Sequence, residues 1–64
     1  MHTLELRKYL GNVKMKYLRG EETKEKTLQD LQNIDWDNIE EFEVCPKAAL
    51  QDFISNTIAF INSR

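Results

Sequence analysis

The residues of this chain whose types could carry chemistry are few and scattered. Cys45 is the only cysteine and His2 the only histidine, and most of the sequence lies between them. A thiol just ahead of a helix N-terminus is a candidate nucleophile, because the helix dipole favours its thiolate. Cys45 precedes Pro46, a residue suited to the first position of a helix, and so meets that condition. Nucleophilic catalysis also needs a base within reach, and nothing in the sequence brings His2 to Cys45. The cysteine therefore reads as a structural residue. Zinc requires His and Cys ligands at short spacing, which one of each does not supply. Asn33, Asp35 and Asp37 match the opening ligands of a calcium loop, but Asn38 stands where the loop needs glycine and Val44 where it needs glutamate. Glu40 and Glu41 are adjacent, and in a strand adjacent side chains point to opposite faces. Gly11 and Gly20 stand alone, so there is no phosphate-cradling glycine loop. No catalytic residue, metal or cofactor is expected, and the chain is expected to act by binding.

Three binding surfaces are legible. Trp36 lies in an acidic stretch with Asp35, Asp37, Glu40, Glu41 and Glu43, and tryptophan is enriched where interfaces concentrate their binding energy. These six residues are the first candidate for a protein partner. Arg7, Tyr9, Lys14 and Lys16 offer an aromatic ring among cations, the combination that holds single-stranded nucleic acid. Set against that reading, the chain has a net charge of −2 and a pI near 5.3, whereas dedicated nucleic-acid binders are basic. The third surface is the nearly uncharged back of the C-terminal segment, with Ala48, Ser55, Asn56 and Ala59, which could dock on a second copy of the chain.

The elements that would position these groups follow from periodicity. Leu4 to Leu10 and Val13 to Leu18 alternate about Gly11 and Asn12, a pair that suits a two-residue hairpin turn. In that hairpin Arg7 faces Lys16 and Tyr9 pairs with Lys14 on the outer face. A helix competes, since Leu6, Leu10, Val13 and Tyr17 also fall at helical spacing. It would hold Gly11 and Asn12 in its interior at a cost of roughly 1–2 kcal/mol, and the hairpin is preferred on that ground. Thr27 to Asp30 reads as a capping box with Thr27 as N-cap, opening a short helix near 28–33. The charged pairs Glu21/Glu25 and Glu22/Lys26 ahead of it could also form first helical turns. Glu41 to Val44 alternates again as a third short strand, and Pro46 hands over to a helix. Ala49, Leu50, Phe53, Ile54, Thr57, Ile58, Phe60 and Ile61 fill one contiguous half of that helix, the most secure element of the sequence. The expected fold is α+β: a small two-layer domain in which the N-terminal hairpin and third strand pack against the C-terminal amphipathic helix.

Composition sets the outer bounds. Sixty-four residues with 41% hydrophobic and 31% charged side chains form one domain with one modest core. A domain this small, without disulfide or metal, often adds buried area by associating with a copy of itself or a partner. Charge is uneven: residues 1–26 carry a net +3 and residues 27–64 a net −5. The two halves either face each other within the fold or face different partners. No apolar run is long enough to span a bilayer, the N-terminal segment is too charged for a signal peptide, and a lone cysteine suits a reducing compartment. The chain is expected to be a complete, cytoplasmic gene product. The leading functional expectation is a small non-enzymatic regulator that binds and modulates or inhibits a partner protein, of the kind phage and accessory genes often encode. The alternative is an RNA or single-stranded DNA binder acting through the basic residues of the N-terminal segment.

Overall fold

In a computed structural model of the chain, which describes residues 1–63, the N-terminal segment is not a hairpin but a continuous helix, α1, Thr3–Leu18. Helix α2 spans Lys24–Gln32, a one-turn 3-10 helix covers Trp36–Asn38, and α3 spans Lys47–Asn62. Among the described residues there is no sheet, only two isolated β-bridges, His2 with Glu40 and Phe42 with Cys45. The chain is a small all-helical domain of three helices, and the α+β expectation is overturned. Among the described residues no helix is long and apolar enough to cross a membrane.

Burial explains why the helix prevails over the hairpin. As a helix, α1 aligns Thr3, Leu6, Leu10 and Val13 on one face, all buried, with Tyr17 half-buried one turn further on. That stripe faces both other helices at once, and each buried leucine contributes about 1.5–3 kcal/mol. The cost of Gly11 and Asn12 in the helix interior is smaller than that return. Gly11 has no positive φ, so the turn conformation that its type suggested is not used. Gly20 does have one, at +75°. It ends α1 in a Schellman arrangement: the Gly20 N–H donates to the Tyr17 carbonyl and the Glu21 N–H to the Lys16 carbonyl, at 3.0 and 2.9 Å.

The start of α2 also differs from expectation. Its N-cap is Thr23, whose hydroxyl accepts the Lys26 N–H at 3.2 Å. Thr27, expected to be the cap, is a turn inside the helix and fully buried, its hydroxyl donating to the Thr23 carbonyl at 2.7 Å. The helix ends at Gln32, close to its expected end. The third strand is replaced by an irregular connection. Its backbone is tied to the start of α1, with the Thr3 N–H donating to the Glu40 carbonyl at 2.9 Å and the Glu40 N–H to the Met1 carbonyl at 3.1 Å. The hydroxyl of fully buried Thr3 accepts the Phe42 N–H at 3.1 Å.

Helix α3 forms where the sequence places it. Pro46 is its N-cap and has no side-chain acceptor to offer, and Glu41 supplies one, accepting the Lys47 N–H at 2.7 Å. Leu50, Ile54, Thr57 and Ile61, at i, i+4, i+7 and i+11, are buried. The Thr57 hydroxyl donates to the Phe53 carbonyl at 2.7 Å, which satisfies it within its own helix. Of the half-helix expected to be apolar and inward, Ala49 and Phe60 are exposed. The common core consists of Leu6, Leu10, Val13, Leu31, Ile39, Cys45, Leu50, Ile54 and Ile61.

Candidate functional site

The helical form of the N-terminal segment redistributes the basic residues. Seven residues make nearly two full turns, so Arg7 and Lys14 share one face of α1, and Tyr9 and Lys16 share another. The two faces are separated by roughly 160°. Arg7 no longer opposes Lys16, and the four residues do not form one surface. Tyr9 and Lys16 line a hollow of about 290 Å³ on the α2 side, with Asn12, Arg19, Glu22 and Asp30. Arg7 and Lys14 turn toward α3.

The acidic segment is only partly available. Trp36 is half-buried and packs against the core, which uses much of its indole for structure. Its carbonyl accepts a hydrogen bond from Lys47 Nζ at 2.9 Å. Asp35 accepts a hydrogen bond from the Asn38 side chain, and Glu41 caps α3. Asp37, Glu40 and Glu43 are exposed. Among the described residues the ion pairs are His2 with Glu5, Arg19 with Glu21 and Lys26 with Asp30. None joins the basic residues of α1 to the acidic segment. Ala48, Ser55, Asn56 and Ala59 are all exposed on α3.

Between α1 and α3 lies a surface that neither expectation assembled. A groove of about 430 Å³ is lined by Arg7 and Gly11 from α1, by Val44, Cys45 and Pro46 from the connection, and by Ala49, Leu50 and Phe53 from α3. Two matching stripes run along it. On α1 the positions are 7, 11, 14 and 18; on α3 they are 49, 53, 56 and 60. Both follow i, i+4, i+7, i+11, the spacing that keeps side chains on one helical face. Lys14 Nζ stands 5.5 Å from the Phe53 ring centroid and 5.8 Å from that of Phe60. Since Arg7 lies with Ala49 and Phe53 and Lys14 with Phe53 and Phe60, the two helices run in the same direction. The lining is apolar and open at Val44, which is 83% exposed, and beyond it Phe60, under the Lys14 ammonium, is 41% exposed.

A Cβ added to Gly11 would meet nothing within 4 Å, so the absence of a side chain there widens the groove. Ala49, Phe53 and Phe60 were visible in the sequence as part of the apolar half of α3, whereas Asn56 was placed on its uncharged back. The partner stripe on α1 was hidden by the hairpin reading.

Among the described residues no three His, Cys, Asp or Glu side chains gather as a metal would need. The imidazole of His2 is engaged at the start of α1, where Nδ1 accepts the Glu5 N–H at 3.2 Å and Nε2 lies 2.9 Å from Glu5 Oε1. Its ring stacks on Phe42 at 4.5 Å between centroids. Cys45 is buried at the groove's inner wall. No protein-family model, curated protein or solved structure matches the chain.

Proposed function

We propose that this chain is a small, non-enzymatic regulatory protein that binds a partner protein, and that the groove between α1 and α3 is the contact surface. The observation that carries this reading is the open apolar lining of Val44, Ala49 and Phe53 beside Arg7, with Lys14 over the Phe53 ring. Exposed apolar surface costs solubility and is retained where a partner covers it. Aromatic side chains and arginine are also the residues that interfaces concentrate. The setting is taken to be cytoplasmic, in line with a buried free thiol and the absence of any disulfide partner. Binding modulates the partner by occupying its surface, and inhibition is the simplest form of that effect.

Affinity capture from the source cell, with and without nuclease, tests the proposal when wild type is compared with a Val44→Asp, Ala49→Glu variant. Both positions are exposed, so circular dichroism should be unchanged. The expected result is a nuclease-resistant protein partner retained by wild type and lost with the variant. Retention by that variant, with loss on Trp36→Ala and Glu40→Gln instead, would move the contact to the acidic segment. Loss on nuclease treatment would favour the nucleic-acid alternative.

A further inference from the structure

Building on the groove as the binding surface, we infer that its occupant is an acidic amphipathic helix of the partner, with two carboxylates spaced about seven residues apart along one edge of its apolar stripe. The shape of the site sets the length. From position 7 to position 14 the α1 wall rises about 10 Å at 1.5 Å per residue, enough for about two turns of a helix lying between two parallel helices. Helix-in-groove binding reads its ligand as apolar anchors at i, i+3 or i+4, and i+7, and the lining of Val44, Ala49 and Phe53 suits such anchors.

Charge sets the rest. Arg7 and Lys14 stand on one rim about 10 Å apart along the axis, and neither has a carboxylate partner among the described residues. Arg7 is exposed, and Lys14 lies over the two phenylalanine rings that form the opposite wall. A helix settling into the groove would carry its own rim residues past both cations, and side chains seven apart on a helix recur on the same edge. Carboxylates at those two positions complete two ion pairs; lysines there would meet two like charges. The same cations argue against a second copy as occupant. A two-fold contact through this face would bring Arg7 and Lys14 of both copies, four like charges, into one interface. Two cations beside an apolar wall are also a small electrostatic footprint for nucleic acid.

The test uses synthetic amphipathic helical peptides of about 14 residues. They share one leucine stripe and differ only at two flanking positions seven apart, which carry Glu, Gln or Lys. Binding is read from the backbone amide shifts of Gly11, Val44, Ala49 and Phe53 in the full chain. The Glu peptide is expected to bind about tenfold more tightly than the Lys peptide, with a difference that shrinks as salt rises. Arg7→Glu with Lys14→Glu should reverse the order of preference. Should that double change unfold the chain, Arg7→Gln with Lys14→Gln reads the same property, since the preference between Glu and Lys peptides should then collapse. Equal affinity of the three peptides at these residues would overturn the acidic occupant and leave the groove as the binding surface. No shift with any peptide, in a chain that keeps its helical circular dichroism, would remove the groove itself. A uridine oligomer that shifts these residues and displaces the Glu peptide would overturn the proposal in favour of nucleic acid. Sedimentation as a dimer with these amides protected would assign the face to a second copy.

Discussion

On the side of α1 that faces α2, most charges are answered from within the chain: Lys26 binds Asp30, Arg19 binds Glu21, and Glu22 accepts the Thr23 N–H. On the side that faces α3, Arg7 and Lys14 pair with no carboxylate among the described residues, and the side chains beside them are phenylalanine, valine and alanine. The first flank is a surface that needs nothing further. The second is apolar where water would reach it, and its cations face aromatic rings and solvent instead of carboxylates among the described residues. The two flanks thus differ in how their charges are met, while the buried stripe between them belongs to the common core.

The largest effect should come from breaking that shared stripe. Leu10 is fully buried, and Leu10→Ala is expected to cost about 2–5 kcal/mol. A chain of this length has a total stability on the order of 3–9 kcal/mol, so much of the variant should be unfolded at room temperature. Urea denaturation followed by both Trp36 fluorescence and circular dichroism measures this. Coincident transitions are expected, and separate ones would show that the two flanks are independently stable.

The glycines give a smaller effect of opposite sign. Gly20 holds a positive φ at the end of α1, and Gly20→Ala should destabilise by about 1 kcal/mol. Gly11 lies in ordinary helical backbone with open space above it, and Gly11→Ala should stabilise by about 0.5–1 kcal/mol. A destabilising Gly11→Ala would contradict the open space around that position.

The smallest effect concerns the self-answered flank. Asp30, hydrogen-bonded to Lys26 at 2.6 Å, raises the lysine's pKa above its ordinary 10.5. A raised lysine pKa means that the folded state holds the proton more tightly. Its contribution is therefore present below pH 10.5 and lost as pH climbs through the folded value. Wild type should exceed Asp30→Asn slightly in melting temperature at neutral pH, and the gap should close in strong alkali. A gap that widened with pH would contradict the pairing.

How much of this was legible depends on whether a signal was local. Helix α3 was readable because its periodicity, Pro46 at its start and its apolar half all agree within one segment. The segment 4–18 carries two periods at once, and Gly11-Asn12 tips a local reading toward a turn. The deciding quantity was the burial of Thr3, Leu6, Leu10 and Val13 against helices far along the chain, which no window of α1 contains. The same reasoning accounts for Thr27: alone it resembles a cap, but packing draws it inside and leaves Thr23 at the helix start. The acidic residues around Trp36 were located as a stretch, while the division of labour among them, with Glu41 capping α3 and Trp36 filling the core edge, required the tertiary structure. The groove needs two stripes from distant segments set side by side, and no single segment displays it.

The hydrogen bonds that join separate segments gather at one end of the bundle. There the Thr3 N–H reaches Glu40, the Phe42 N–H reaches the Thr3 hydroxyl, and both the Lys47 N–H and its ammonium reach back to Glu41 and Trp36. The hydroxyls of Thr27 and Thr57 stay within their own helices and fasten nothing to a neighbour. Such an arrangement behaves like a clothes-peg, sprung at the end where α1 and α3 begin and yielding where they finish. Amides of Thr3, Glu40 and Phe42 should exchange more slowly than those in the last turns of α1 and α3.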